Sequence, residues 1–349
     1  MSEIDISLNT PFRTQILLGH DETIKSFTQA VTGQRVAHGW LFTGPEGVGK
    51  MTFALLVARA TLNAGPPSSP QDIQQSYDSP AGKLVSQAVH PDLRIISCEK
   101  EGKKHIEVDD IRELKNFFAH SAGSAGWRVA IIDSVDDMTR NAANALLKIL
   151  EEPPAKCLII LINHNAGKVI DTIRSRSRKL VFHGLDEQTI LTIVKSISPE
   201  TDPNIIGAAS FLSNASAGRA LTLIDQGGLE HYKALMEAMI AINQSDIAQT
   251  HAFCDFVAHR DAPERFGLFI ELLSDWLYRL TKVSRGLAEF QAIFETEHQL
   301  IEKYSRASSK QQIFDLWENI QDIGRETTAL NLDKKQAALN CLTMVNALL

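Results

Sequence analysis

The chain of 349 residues has only four cysteines, Cys98, Cys157, Cys254 and Cys341, and no two lie close in sequence. There is no C-x-x-C ligand pair, so a compact structural zinc site is not expected. Four scattered cysteines in a chain of this length also do not make a secreted disulfide scaffold. Residues 1–13 are polar and mixed in charge, without the apolar stretch of a secretory signal. No uninterrupted apolar run reaches the length of a membrane span. An excess of positive charge is missing too. Lys and Arg number 35 against 42 Asp and Glu, a net charge of −7. That balance lacks the footprint of a lone, tight nucleic-acid binder, while local basic patches inside an assembly stay possible. The expected setting is the cytosol, with reduced thiols and no membrane partner.

What is present is a globular composition, 44% hydrophobic and 22% charged. At roughly 150 residues per domain the length suggests two or three domains. Up to about residue 182, short apolar runs alternate with helical patterns. Residues 39–43, 93–96, 127–132, 158–162 and 179–182 read as strands. Residues 51–62, 108–118 and 141–150 read as helices, the last stopped by Pro153 and Pro154. This alternation predicts an α/β fold with a mostly parallel sheet covered on both faces. Residues 65–83, rich in Pro, Ser and Gln, read as an exposed loop inserted after the first of these helices. Residues 186–196 and 205–227 read as a small group of helices. From residue 229 to 349 the pattern is helical, with amphipathic segments around 232–242, 264–280, 287–302 and 313–323, so an all-α domain is expected there.

Three segments point to chemistry. Gly44-Pro45-Glu46-Gly47-Val48-Gly49-Lys50-Met51 follows a strand and opens a helix, the setting of a phosphate-binding P-loop. Glycines let backbone N–H groups converge on an anion, and Lys50 supplies a point charge. Met51 stands where a Ser or Thr hydroxyl would ligate Mg²⁺, and a thioether does not ligate a hard cation. Thr52 is one residue further, about 100° round the helix, and does not replace it. The strand 127–132 delivers Asp133 to the sheet edge, as in a Walker-B segment that binds Mg²⁺ through water. The bland alternative is a buried strand with Asp133 opening a turn. Ser134 follows, and it is not a competent base. Residues 172–179 form the most basic segment. They are either a solvated strand edge or the source of an arginine that reaches a γ-phosphate across a subunit interface. The basic loop 100–105 reads as plain surface.

Together these residues resemble a known family. The P-loop, His90-Pro91-Asp92-Leu93, residues 106–114, the run Asn141-Ala142-Ala143-Asn144-Ala145-Leu146-Leu147-Lys148-Ile149-Leu150-Glu151-Glu152-Pro153-Pro154, and Thr172-Ile173-Arg174-Ser175-Arg176-Ser177 are similar to the clamp-loader branch of the AAA+ ATPases. The similarity covers roughly residues 18–182. It implies a bacterial DNA polymerase III clamp loader that opens the sliding clamp and places it on primed DNA. It also implies three domains: a P-loop domain at 1–183, a helical lid at 184–228 and an α-helical collar at 229–349. The losses at Met51 and Ser134 match the family's non-hydrolysing subunit class. The nucleotide site, formed by Gly44, Gly47, Gly49, Lys50, Asp133 and Asn163 (the last near the sensor-1 position), is then degenerate. Arg176 is then the arginine finger of the Ser-Arg-Cys motif, which ends here in Ser177. Implied partners are gamma/tau motor subunits and a delta subunit, with clamp and primer–template DNA reached through the complex. No cofactor is required on this reading, ATP is doubtful, and zinc is absent because residues 65–83 fill the family's zinc-module slot without a cysteine. The sensor-2 position falls on Gly218, with Arg219 one residue off. The alternative is an active AAA+ ATPase, a motor subunit or a branch-migration helicase, with Mg-dependent turnover.

Overall fold

The computed structural model describes residues 11–15, 17–31, 37–98, 103–119, 126–165, 167, 170–284 and 292–349. Most of the polar segment 1–13, residues 100–102 of the basic loop and residues 287–291 of one expected helix lie outside the described residues. The chain divides into two compact units, one of residues 1–201 with 213–220, the other of 202–212 with 221–349.

The first unit begins with a 3-10 turn at Pro11–Arg13 and helix α1 at Asp21–Val31. Strand β1, Gly39–Thr43, leads into helix α2, Lys50–Ala64. Two short helices follow, α3 at Pro70–Gln75 and α4 at Pro80–Ser86. Then come β2 (Leu93–Ser97), α5 (Val108–Ala119), β3 (Arg128–Asp133), α6 (Arg140–Glu151) and β4 (Cys157–Asn163). Helix α7 (Asp171–Arg176), β5 (Arg178–Val181) and α8 (Glu187–Ile197) complete the series. The five strands form one parallel sheet in the order β2-β3-β4-β1-β5. β3 and β4 run apolar along nearly their whole length because helices cover both faces. Val129, Ile131, Leu158 and Ile160 pack on one side, and Ala130, Ile132, Ile159 and Leu161 on the other. This is the α/β fold with a parallel sheet covered on both faces that the sequence predicts.

The expected loop at 65–83 is instead structured. Ser69 accepts from Asp72 N at 3.2 Å, and the Asp72 carboxylate accepts from Ser69 N at 2.9 Å, a capping box that starts α3. Ser79 caps α4 by accepting from Gly82 N at 2.9 Å. In both helices a proline takes the first position, where its missing N–H costs nothing. The residue types that read as loop are therefore N-terminal caps. Ile73 and Val85 are the apolar anchors, both buried. Strand β5 ends at Val181, one residue earlier than expected, though Phe182 still donates its N–H to Thr43 O at 2.8 Å.

The second unit is all-α. It comprises α9 (Pro203–Leu212), the end of α10 (Ala217–Asp225), α11 (Gly228–Asn243), α12 (Ile247–Val257), α13 (Glu264–Ser284), α14 (Glu295–Ala307), α15 (Lys310–Ala329) and α16 (Lys334–Asn346). The expected boundary after residue 228 falls at the first residue of α11. Its core is built around Tyr232, Phe266, Trp276 and Tyr304. One polar cluster is sealed inside: Tyr232 Oη donates to Glu297 Oε1 at 2.5 Å, and Arg279 lies 3.2 Å from the same carboxylate. Burial pushes the Tyr232 hydroxyl well above its usual range, so it stays a donor to Glu297. Cys157, Cys254 and Cys341 are buried, which raises their thiols to about 11, 11 and 12. Among the described residues no helix is long and apolar enough to cross a membrane.

Candidate functional site

The loop 44–49 leaves the C-terminal end of β1, a central strand, and enters α2. Its geometry depends on glycine at three points. Gly44 presses on β5's exit, where an added Cβ would lie 2.1 Å from Phe182 O. Gly47 has φ +70, and a Cβ there would meet Ser216 Oγ at 2.3 Å. Gly49 is the N-cap of α2 in the left-handed region, φ 108, with no side-chain cap. The N-terminal N–H groups of α2 therefore face the loop, as anion binding requires.

Lys50 is buried in this loop. Its ammonium donates to Gly44 O at 2.7 Å and to Pro45 O. Desolvation lowers the ammonium to about 8, against the opposing charges of Asp133, Glu46 and Asp136. Met51 is half-buried and packs its side chain against the apolar layer over the sheet. Asp133 ends β3 as expected. Its Oδ1 lies 3.3 Å from His164 Nε2. Ser134 Oγ donates to Asp137 Oδ2 at 2.8 Å.

Asn163 ends β4 and is fully buried. Its Oδ1 accepts from Thr43 Oγ1 at 2.8 Å, and its Nδ2 donates to Asp136 Oδ1 and Asn165 O, each at 2.8 Å. Both amide hydrogens are thus used. Asp136 also accepts from His164 N at 2.6 Å. The structure brings Gly44, Gly47, Gly49, Lys50, Asp133 and Asn163 to one end of the sheet.

Sequence reasoning missed two contributors and the contact made by a third. His20 is buried and donates from Nε2 to Val48 O at 2.8 Å, which buttresses the loop from outside. Burial lowers its pKa, so the neutral ring is favoured. Asp136 ties β4 to the turn after β3, and nothing in a run of two aspartates distinguishes it from Asp137. At the third, Gly218 N donates to Gly47 O at 2.9 Å, and a Cβ on Gly218 would lie 2.8 Å from Gly47 Cα. Gly218 thus rests directly on the backbone of the loop 44–49.

Arg176 lies at the C-terminal end of α7, away from these groups in sequence and exposed. Its Nη2 lies 2.7 Å from Glu151 Oε1, and Nη1 donates to Thr172 O at 3.2 Å. The neighbouring Arg174 pairs with Asp171, and Arg178 stacks over the Trp40 ring.

Fold and site together define a parallel α/β domain with a P-loop-like strand–loop–helix. Residues 19–186 match the family described as DNA polymerase III, delta subunit. The chain is 28% identical over 259 residues to a DNA polymerase III subunit gamma/tau of Mycobacterium bovis, covering 72% of this chain and 44% of that protein. It is 35% identical over 140 residues to a DNA polymerase III subunit delta' of Pseudomonas aeruginosa, covering 40% and 41%. A delta' subunit of Bacillus subtilis is 30% identical over 178 residues, covering 50% and 52%. The chain thus spans about half or less of the length of the relatives it matches. These similarities are to subunits of DNA polymerase III, each over part of its length.

Proposed function

We propose that this chain is a delta-prime, stator-type subunit of a bacterial clamp loader, with a nucleotide site that no longer works. One observation carries this reading. The loop and strand groups that face a nucleotide in a P-loop site are engaged within the chain: Lys50 on Gly44 and Pro45, Asp133 beside His164, Asn163 on Thr43, Asp136 and Asn165. Gly218 adds a contact to Gly47 O. With Met51 in place of a hydroxyl, this donor set does not fit a magnesium-bound nucleotide. On this reading the chain acts in the bacterial cytoplasm and needs no cofactor. It works through gamma/tau motor subunits and a delta subunit, and meets the clamp and primed DNA through the complex.

Arg176 is then the residue that serves a neighbour's ATP. It is exposed and stands at the end of a short helix beside edge strand β5. Recovery of motor and delta subunits from cell extract on the tagged chain supports the assignment, and recovery of neither overturns it. In a reconstituted complex, Arg176→Ala should assemble normally and partly depress DNA-stimulated ATPase, because it removes one finger among several sites.

The second reading is an active motor subunit. It draws on the gamma/tau similarity, which covers more of this chain than either delta' match. It predicts Mg-dependent ATP turnover by the isolated chain, abolished by Lys50→Ala.

A further inference from the structure

The Arg176 guanidinium is held by a carboxylate from another helix. Glu151 is the last residue of α6, and α7 packs beside that helix. Glu151 Oε1 lies 2.7 Å from Arg176 Nη2, while Nη1 donates to Thr172 O at 3.2 Å and to Ser175 Oγ at 3.3 Å. Both terminal nitrogens thus contact groups of this chain. A phosphate takes an arginine through two parallel N–H···O bonds from the same fork. A phosphate that takes the Nη1–Nη2 edge competes with Glu151 and Thr172 for the same nitrogens. The two side chains are 37% and 48% exposed, so the pair is a surface pair and is released at small cost.

We propose that Glu151 is a positioning residue that holds Arg176 back on its own chain until the phosphate of a neighbouring subunit's nucleotide competes for it. This rests on the reading of Arg176 as a trans-acting finger. Arg174 and Arg178 do not share the arrangement, since one pairs within its own helix and the other lies over an aromatic ring. A weak holding contact suits a group that must be ordered when alone and free when engaged. It keeps the guanidinium off other carboxylates and gives it up to a doubly charged phosphate.

The test uses the complex reconstituted with motor and delta subunits, with ATP as the probe. DNA-stimulated ATPase is measured for wild type, Glu151→Gln, Arg176→Ala and the double variant. Glu151→Gln should raise kcat/KM for ATP by about two- to fivefold, the range that loss of a surface ion pair allows. The double variant should match Arg176→Ala. A rise that persists without Arg176 overturns the proposal, because the effect then does not run through the guanidinium. An unchanged or lower rate in Glu151→Gln, with Arg176→Ala depressed, overturns the holding role and leaves the finger standing. No effect of Arg176→Ala overturns the finger and this inference with it.

Discussion

The Lys50 ammonium donates to the carbonyl of Gly44, the first residue of its own loop, at 2.7 Å. A P-loop lysine works on a phosphate as a point charge, so a lysine spent on its own backbone changes what can be repaired by substitution. Restoring the missing hydroxyl with Met51→Thr should not restore Mg-ATP turnover, since Lys50, Asp133 and Asn163 keep their partners. Titration calorimetry and an ATPase assay on the isolated chain check this. Turnover regained by Met51→Thr alone would mean that the internal bonds yield readily to the nucleotide.

Lys50 also gives the fold a pH dependence of known sign. Burial lowers its ammonium from 10.5 to about 8. Between those values the unfolded chain keeps a proton that the folded chain has lost. Native stability contributed by this group therefore rises with pH through that window. Wild type should gain stability relative to Lys50→Met as pH goes from 8 to 10.5, and the difference should be flat below about pH 7. Chemical denaturation at several pH values measures it, and a gap that stays constant throughout contradicts it.

Gly47→Ala should destabilise the first unit by about 2 kcal/mol or more, from a left-handed backbone plus a clash. The new Cβ would sit 2.3 Å from Ser216 Oγ and 3.1 Å from Arg219 N. Denaturation midpoints test the size. Gly207→Ala is the control, since a Cβ there meets nothing within 4 Å.

Arg59 ties α2 to the N-terminal segment around Phe12 and Thr14 and lies over Tyr77 of the segment that reads as a loop. It is fully buried, donates to Thr14 O at 2.7 Å and to Phe12 O, and its guanidinium lies 4.8 Å from the Tyr77 ring centre. Arg59→Met should cost about 2–4 kcal/mol, mostly from carbonyls left without a donor. Limited proteolysis should then cut first near Phe12 and Thr14, the segment those bonds hold. A variant as stable and as resistant as wild type would show that the tie contributes nothing.

The parallel sheet was legible because its strands are apolar on both faces and end in recognisable turns. Thr43, Asp133 and Asn163 each close a strand that the apolar run announces. The helices α3 and α4 were not legible, because Ser69-Pro70 and Ser79-Pro80 are as much turn residues as cap residues. Their status depends on Ile73 and Val85 finding a core to bury against.

By itself the sequence determined the order of the five strands along the chain, the phosphate-loop spacing, the loss of the magnesium-ligating hydroxyl at Met51, and the arginine at 176. Those follow from local periodicity and from the chemistry of single side chains. Only the tertiary structure decided what each polar group is bonded to. Gly218 meets Gly47, His164 faces Asp133, and Glu151 holds Arg176 across gaps of 171, 31 and 25 positions. Hydrogen bonds reach about 3 Å, and no spacing rule along the chain fixes which distant groups come that close.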